Sequence, residues 1–210
     1  MTVSIALPTG ALMGGALELL SRSGLMTVSA EELGRQLLVE RSDLRAILVR
    51  PADVPAYVDH GAADLGIAGK DILWESPGSH YELADLCFGA CRLVLAVPDG
   101  SLFNGPETWP PLLRIATKYP KTTTAWFEAR GQAVEVVQLH GSVELAPQVG
   151  LVDGIVDLTA TGRTLRENGL RIAGVLGAST ARLIANQASL KTRTGPVQAV
   201  VSRLREAAGG

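Results

Sequence analysis

The residues best suited to bind an anion lie in one stretch of the chain, which reads GIVDLTATGRTLRENG from residue 154 to residue 169. Its first part, Gly154–Leu158, is an apolar run that predicts a strand. A turn of small and polar residues follows, and a helical pattern begins near Arg163. Such a turn places free backbone N–H groups and the positive end of a helix dipole at one point, where they favour a phosphate group.

Several side chains in this turn suit a sugar phosphate. Thr161 and Thr164 add hydroxyl donors, and Gly162 lets the backbone approach a ligand closely. Asp157, at the end of the strand, is placed to meet ribose hydroxyl groups. No Gly-Lys-Ser/Thr follows the glycine, so the turn is not a Walker A motif and should hold a sugar phosphate. The residues expected to surround the phosphate are Thr159, Ala160, Thr161, Gly162, Arg163 and Thr164.

A threonine here could instead merely cap a helix, but a longer resemblance favours the phosphate loop. Residues 144–165, ELAPQVGLVDGIVDLTATGRTL, closely resemble the signature of the ATP phosphoribosyltransferases, where this segment binds the ribose 5-phosphate end of phosphoribosyl pyrophosphate. Val152 departs from the pattern, and we expect only a change in packing there. The matching positions are Glu144, Gly150, Ile155, Asp157, Thr161, Gly162, Thr164 and Leu165.

The resemblance runs from about Val3 to Thr192, since RPADVPAYVDHGAADLGIAGKDIL, RIATKYP and ARLIANQASLKT also fit the family. It implies an α/β fold of two lobes, each a mixed, mostly parallel sheet with flanking helices. The implied fold is like that of a type II periplasmic binding protein, with a cleft between the lobes. We expect residues 1–90 and 180–210 to form lobe I. Residues 91–179 should form lobe II, which carries the phosphate loop.

The pattern of the chain itself indicates strands alternating with helices, hence an α/β fold with mostly parallel sheets. His60–Asp71 and Gly150–Gly162 also echo each other, each with a glycine, an aspartate three residues later, a short strand and a polar loop. Chance would explain the echo, and so would two lobes of similar build. The predicted strands are 3–7, 44–49, 64–68, 93–97, 114–117, 134–138, 154–157 and 171–175. The predicted helices are 12–21, 51–60, 122–130, 143–149 and 199–207, with others starting near 70 and 163.

The composition excludes several classes of protein. Basic and acidic residues number 19 and 21, which gives no general reason to bind nucleic acid or an anionic membrane. No targeting signal opens the chain and no apolar run approaches the ~20 residues that span a bilayer, so we expect a cytoplasmic protein. Cys87 and Cys91 are expected to be small buried thiols, since a metal site would need further ligands nearby.

The resemblance implies a Mg-dependent glycosyltransferase. In its reaction, the first step of histidine biosynthesis, N1 of the adenine of ATP displaces pyrophosphate from C1 of phosphoribosyl pyrophosphate. The enzyme must chiefly align the two substrates and stabilise the charge of the leaving pyrophosphate. Mg²⁺ is expected to be carried by the substrate pyrophosphate, whose hard oxygens recruit it, and not by a metal site of the protein.

Cationic residues must hold the two anionic substrates. Arg50 is the best candidate for the ATP phosphates, because a guanidinium can bind phosphate bidentately. Arg35 resembles a family arginine that contacts phosphates, and both arginines are expected to be catalytic. Lys70, Asp71 and Leu12 are expected to complete the ATP site.

Other polar residues are less distinctive. Glu144 is expected to orient the ribose or order the loop, whereas Lys118 could be a site residue or a solvated lysine. The three histidines, His60, His80 and His140, are expected to be structural and not general bases.

One departure weighs against activity. The family usually reads P-K-G-R-L after the first strand, but this chain has Thr9 and Ala11 in place of the two cations. A hydrogen bond to a charged group contributes about 1.5–3 kcal/mol, so binding or catalysis should weaken unless other residues compensate. The alternatives are a two-lobed small-molecule binding or sensing protein that has lost catalysis, or a phosphoribosyltransferase with another base acceptor.

Length decides the expected subtype. About 45 residues follow Leu165, too few for the regulatory domain of the family's long form. We therefore expect the short form, a hetero-oligomer with a regulatory subunit that resembles histidyl-tRNA synthetase.

Overall fold

The strands form two mixed sheets, one of six strands and one of five. The structure is a computed structural model, and it describes residues 2–41, 43–103 and 108–209. The chain divides into unit 1, Met1–Gly89 with Thr180–Gly210, and unit 2, Ala90–Ser179. Each unit has its own sheet. No helix among the described residues has both the length and the apolar character to cross a membrane.

Unit 1 contains the six-stranded sheet, in the order β2-β3-β1-β4-β11-β5. Its strands are β1 Val3–Pro8, β2 Leu38–Arg41, β3 Leu44–Val49, β4 Leu65–Gly69, β5 Tyr81–Asp85 and β11 Ala181–Ala185. Its helices are α1 Met13–Arg22, α2 Ala30–Leu33, α3 Val54–Asp59, α4 Lys70–Glu75, α7 Gln187–Thr192 and α8 Thr194–Gly209, with single 3₁₀ turns at Gly10–Leu12 and Pro51–Asp53.

Unit 2 contains the five-stranded sheet, in the order β10-β6-β9-β7-β8. Its strands are β6 Cys91–Pro98, β7 Leu112–Thr117, β8 Ala133–Gln138, β9 Gly154–Thr159 and β10 Leu170–Ser179. Its helices are α5 Pro120–Glu128 and α6 Arg163–Glu167, with a 3₁₀ turn at Val143–Leu145.

The same strand pattern occurs in both units. In unit 1, β3, β1 and β4 are parallel. Next to them β11 pairs antiparallel with β4, and β5 pairs antiparallel with β11. In unit 2, β8, β7 and β9 are parallel. Next to them β6 pairs antiparallel with β9, and β10 pairs antiparallel with β6. The echo between His60–Asp71 and Gly150–Gly162 therefore reflects similar build, because β4 and β9 occupy equivalent places. Both sheets are mixed and most of their strands run in one direction, as expected, because β5 runs in the direction of β4 and β10 runs in the direction of β9.

Small aliphatic residues fill the core on both faces of the parallel strands. On β1, Ile5 and Leu7 belong to a cluster with α1 and α8, whereas Ala6 belongs to a cluster with α3 on the opposite face. Successive side chains of a strand point to opposite faces, so a strand covered on both faces is apolar throughout. In unit 2, Val152 packs in the cluster that includes Leu165.

Some predicted features differ from the structure. The helix predicted over 143–149 is only a 3₁₀ turn, because Pro147 has no backbone N–H to donate. Cys87 is exposed and Cys91 is partly exposed, so the prediction that both are buried is wrong. Cys87 lies in a turn with φ of +59° after β5, where the chain leaves the unit 1 core. The elements that the pattern did not predict are α2, β2, β5, β11 and α7.

A buried carboxylate ties the end of the chain to unit 1. Asp64, which precedes β4 and is 4% exposed, accepts hydrogen bonds from the amide and hydroxyl of Ser4, each at 2.8 Å. It also accepts from the Ser189 hydroxyl at 2.8 Å and from the Arg193 guanidinium at 2.5 and 2.6 Å. Burial by itself raises the pKa of Asp64, but these hydrogen bonds hold the pKa below its ordinary value.

Replacement of Asp64 by Ala should lower the free energy of unfolding by about 3–5 kcal/mol, because the Arg193 charge loses its buried partner. Urea unfolding followed by circular dichroism measures this change. The exposed Glu40–Arg45 pair supplies the control, since Glu40→Ala should cost about 1 kcal/mol or less. Equal losses in the two variants would contradict the role of Asp64.

The same carboxylate should make stability depend on pH. Its pKa is lower in the folded chain than in the unfolded chain, so its contribution is complete above 3.8 and is lost as the pH falls below that value. The Asp64→Ala variant should therefore lose less stability on acidification than the unaltered chain.

Candidate functional site

In unit 2, the residues predicted to bind a sugar phosphate meet at one edge of the sheet. Strands β7, β8 and β9 are parallel neighbours, so their carboxyl ends lie together. Lys118 follows β7, the segment with Glu144 follows β8, and the phosphate loop follows β9. In open α/β sheets this edge is where ligands bind.

Local hydrogen bonds fix the shape of the phosphate loop. The Gly162 amide donates to the Thr159 hydroxyl at 2.7 Å, and the Arg166 guanidinium donates to the Thr161 carbonyl at 3.1 Å. Gly162 has φ of +73°, a left-handed conformation that costs a non-glycine residue about 1–2 kcal/mol. Leu165, on α6, is buried and anchors the start of the helix. Contacts within the chain are thus sufficient to define the shape of the loop.

The loop presents unused donors to solvent. Among the described residues, no acceptor meets the backbone N–H groups of Ala160, Thr161 and Thr164, and all three residues are exposed. The Thr161 hydroxyl makes only a long contact of 3.4 Å with the Arg163 amide. Amides aimed outward from a helix start favour a phosphate. Arg163 itself is exposed and pairs with Glu167 at 2.7 Å, so its charge is already partly balanced within α6.

Asp157, Glu144 and Lys118 interact electrostatically at this edge. Burial raises the pKa of Asp157, and the Glu144 carboxylate raises it further. The Leu158 amide, which donates to the Asp157 carboxylate at 2.8 Å, and the Lys118 ammonium oppose this rise. Lys118, whose role the sequence left open, therefore lies close enough to Asp157 to act on its pKa.

The ATP-binding residues predicted from sequence lie at the equivalent edge of unit 1. Thr9 to Leu12 follow β1, Arg50 follows β3, and Lys70 follows β4, and these three strands are parallel neighbours. Arg35 lies before β2, which begins beside the end of β3, where the Leu48 amide donates to the Leu37 carbonyl at 2.8 Å. The sheet therefore brings these residues to one edge.

Their environments differ. Arg35 and Arg50 are exposed, and neither belongs to an ion pair within the described ranges. Lys70 is paired with Glu82 at 2.5 Å. Asp71 is only 6% exposed, and its carboxylate folds back over Gly69.

Leu12 is partly buried and packs over the backbone of Gly89. Of the three histidines, His80 contacts the Asp59 carboxylate at 2.9 Å, which agrees with a structural role. Sequence reasoning missed Glu82, Asp85 and Arg182, which form an ion network beside Lys70. Only the alternation of charged and apolar residues in this part of the chain could have pointed to them.

Comparison with known proteins assigns the chain to one family. A family model described as ATP phosphoribosyltransferase matches residues 50–206. A protein named ATP phosphoribosyltransferase from Caldanaerobacter subterraneus subsp. tengcongensis is 45% identical over 210 residues, which are 99% of this chain and 98% of the relative. Another of that name from Rubrobacter xylanophilus is 46% identical over 200 residues, which are 94% of this chain and 93% of the relative.

Solved structures agree. The ATP phosphoribosyl transferase (HisG:HisZ) complex from Thermotoga maritima contains a chain with a TM-score of 0.85 and 35% identity, and the match covers 99% of both chains. The alkanesulfonate-binding protein SsuA from Xanthomonas axonopodis pv. citri has a TM-score of 0.62 and 14% identity, over 98% of this chain and 72% of that one. The latter likeness concerns the fold alone and confirms the periplasmic-binding-protein-like class.

The electrostatics of Asp157 can be tested by carbon-13 NMR titration of its carboxyl group. Its pKa should lie above 3.8, should fall in Glu144→Gln, and should rise in Lys118→Met. Glu135→Gln, which removes an exposed charge on β8, is the control and should leave the pKa unchanged. If Glu144→Gln and Lys118→Met also leave it unchanged, the three side chains do not form one site.

Proposed function

Because the chain belongs to the ATP phosphoribosyltransferase family, we propose that it joins ATP to 5-phosphoribosyl 1-pyrophosphate and releases pyrophosphate. N1 of the adenine forms a bond to C1 of the ribose as the C1–O bond to pyrophosphate breaks. The product is N1-(5-phosphoribosyl)-ATP, so the reaction is the first step of histidine biosynthesis. Positive charge develops on the sugar and negative charge on the leaving group, so alignment and charge stabilisation must supply most of the catalysis.

The observation that carries this proposal is the set of unused donors in the phosphate loop. We assign the 5-phosphate of phosphoribosyl pyrophosphate to the exposed amides of Ala160, Thr161 and Thr164 and to the two threonine hydroxyls. Left-handed Gly162 holds these amides in place. Arg163, already paired with Glu167, is assigned a supporting role at the helix start.

Asp157 and Glu144 are assigned to the ribose. A carboxylate accepts hydrogen bonds from hydroxyl groups, and Asp157 lies at the end of β9 directly before the loop. The Lys118 ammonium, which acts on the Asp157 carboxylate, is assigned to the negative charge of the leaving pyrophosphate.

The carboxyl edge of unit 1 is assigned to ATP. Arg50 and Arg35 present exposed guanidinium groups that suit phosphate, and we propose that they hold the ATP phosphates although residues 9 and 11 supply no cations. Lys70 is assigned to the same phosphates. Leu12, which is partly buried, offers apolar surface to the adenine.

The other member of the proposed ATP site is Asp71. It opens α4 directly after Lys70 and is buried, so it is assigned to ordering this turn.

We propose that Mg²⁺ reaches the site as part of the substrate, bound to pyrophosphate oxygens. Within the described residues, no group of three or more His, Cys, Asp and Glu side chains could hold a metal ion. We assign Asp157 and Glu144 to accept hydrogen bonds from water on the ion.

We also propose a partner subunit. The similar chain from Thermotoga maritima is part of a HisG:HisZ complex. By this likeness the chain should work in a hetero-oligomer with a regulatory subunit that resembles histidyl-tRNA synthetase.

The proposed reaction is tested by incubating the purified chain with ATP, Mg²⁺ and phosphoribosyl pyrophosphate, with and without the partner subunit. We expect equal amounts of pyrophosphate and of an ATP adduct, identified by mass spectrometry. Binding of both substrates with no adduct in either condition would instead establish a binding protein. An adduct with another base alone would establish a different acceptor.

The phosphate loop is tested by Gly162→Ala. The left-handed φ of +73° and a Cβ 3.1 Å from the Arg166 guanidinium should distort the loop. Affinity for phosphoribosyl pyrophosphate, measured by calorimetry, should fall about 10- to 100-fold, as expected for lost hydrogen bonds to a charged group. Thr161→Val should lower it about tenfold by removing one hydroxyl.

Gly169→Ala is the matched control. Gly169 also has a positive φ, +65°, and a Cβ there meets nothing within 4 Å. This variant should lose stability through backbone strain but keep its affinity. An equal loss of affinity in the two glycine variants would remove the loop from the binding site.

A further inference from the structure

Lys70 belongs to a line of alternating charges that runs across β5 and β11. Its ammonium contacts one oxygen of Glu82 at 2.5 Å, and the other oxygen of Glu82 lies 3.5 Å from the Arg182 guanidinium. Arg182 also contacts Asp85 at 3.0 Å. Asp85 in turn accepts a hydrogen bond from the Thr180 hydroxyl at 2.8 Å. Two cations and two anions therefore balance without a ligand.

A bulge in β5 makes this line possible. Residues three apart in a regular strand point to opposite faces, so Glu82 and Asp85 should not share a partner. The pairing of β5 with β11 shifts register between Leu183 and Ile184, where Ala84 and then Glu82 are the opposite residues. Leu83 is the extra residue, and its carbonyl accepts from Arg205 at 2.6 Å. Leu83 and Ala84 both pack on the core, which leaves the two acids on the other face.

Arg182 is incompletely used. Its Nε–H is buried and has no hydrogen-bond partner among the described residues. A buried donor without an acceptor is costly, and one in a native structure calls for an explanation. The contact of Arg182 with Glu82 is also loose, at 3.5 Å, although a guanidinium can bind a carboxylate through two donors at once. Arg182 therefore has hydrogen-bonding capacity that its present partners do not use.

We propose that Glu82 is a placeholder for substrate phosphate on Lys70, and that Arg182 receives the Glu82 carboxylate when ATP arrives. The triphosphate takes the Lys70 ammonium, and Glu82 turns to the Arg182 guanidinium, where its contact with Nη1, 3.5 Å without the phosphate, becomes a close ion pair. Glu82 and Arg182 are then positioning residues that set the affinity for the polyphosphate without touching it. This inference rests on the proposed role of Lys70 in ATP binding.

The exchange keeps every charge paired. Before binding, Lys70 has Glu82 as its counter-ion. After binding, Lys70 has phosphate, and Glu82 has Arg182. The Lys70 and Glu82 side chains are 28% and 32% exposed, so their mutual attraction is weak enough for a multiply charged phosphate to replace it.

The experiment is calorimetric titration of the full chain with Mg-ATP at fixed ionic strength. Glu82→Gln frees Lys70 from its competitor and should tighten ATP binding about two- to fivefold. Glu40→Gln removes the same charge from the exposed pair with Arg45 and should leave affinity unchanged. In a Lys70→Gln background, Glu82→Gln should have no effect.

Arg182→Lys tests the receiver, since it keeps the charge but loses the planar guanidinium that can hold Glu82 and Asp85 together. It should weaken ATP binding about two- to fivefold, and the double variant with Glu82→Gln should abolish that loss. The melting temperature of Arg182→Lys, measured alongside, shows whether this variant is folded. If it is not, Glu82→Gln alone still tests the exchange. Weaker or unchanged binding in Glu82→Gln would overturn the placeholder role. A loss in Arg182→Lys that persists beside Glu82→Gln would overturn the receiver role.

The Lys70→Gln variant distinguishes a failure of the proposed ATP role of Lys70 from a failure of the proposed Glu82 exchange. Unchanged ATP affinity in Lys70→Gln would remove the ATP role of Lys70, and this inference with it. Weaker binding in Lys70→Gln without the expected gain in Glu82→Gln would overturn the exchange alone and leave the proposed function standing.

Discussion

The carboxylate of Asp64 joins parts of the chain that are far apart in sequence, and the ATP site proposed for unit 1 depends on that connection. It accepts from Ser4 at the start of the chain and from Ser189 and Arg193 near its end. This fixes the returning segment, so that β11 lies between β4 and β5. Only that placement puts Arg182 beside the acids of β5 and the ion pair of Lys70.

The proposed binding residues collect at two edges for one geometric reason. Parallel strands present all their carboxyl ends on the same side, and each unit has a parallel trio, β3-β1-β4 or β8-β7-β9. A residue that directly follows one of these strands therefore lies near residues that follow its neighbours, whatever their separation in sequence. Lys118 and Ala160 are about as distant in sequence as Arg50 and Thr9, and both pairs follow adjacent strands.

Sequence alone predicted features that depend on neighbours along the chain. The phosphate loop was predictable because strand, glycine turn and helix follow one another, and Gly162 has the left-handed φ that such a turn favours. The bulge at Leu83 was not predictable, because it results from pairing with β11, about 100 residues away. The use of the Thr159 hydroxyl inside the loop, and not toward a ligand, is likewise visible only in the folded structure.

Binding two polyanions is a specific problem for a chain with a net charge of −2. Its lysines at the proposed sites are not isolated charges, because Lys70 is paired with Glu82 and Lys118 interacts with the Asp157 carboxylate. Such pairing lowers the affinity of a lone cation for phosphate but avoids the repulsion of many like charges in the empty site. Backbone N–H groups can then bind phosphate without adding charges that repel one another, because they carry no net charge and the loop holds them in position. A chain that lacks cations at residues 9 and 11 can therefore still hold phosphate firmly, provided that its loop is rigid and its remaining cations can exchange partners.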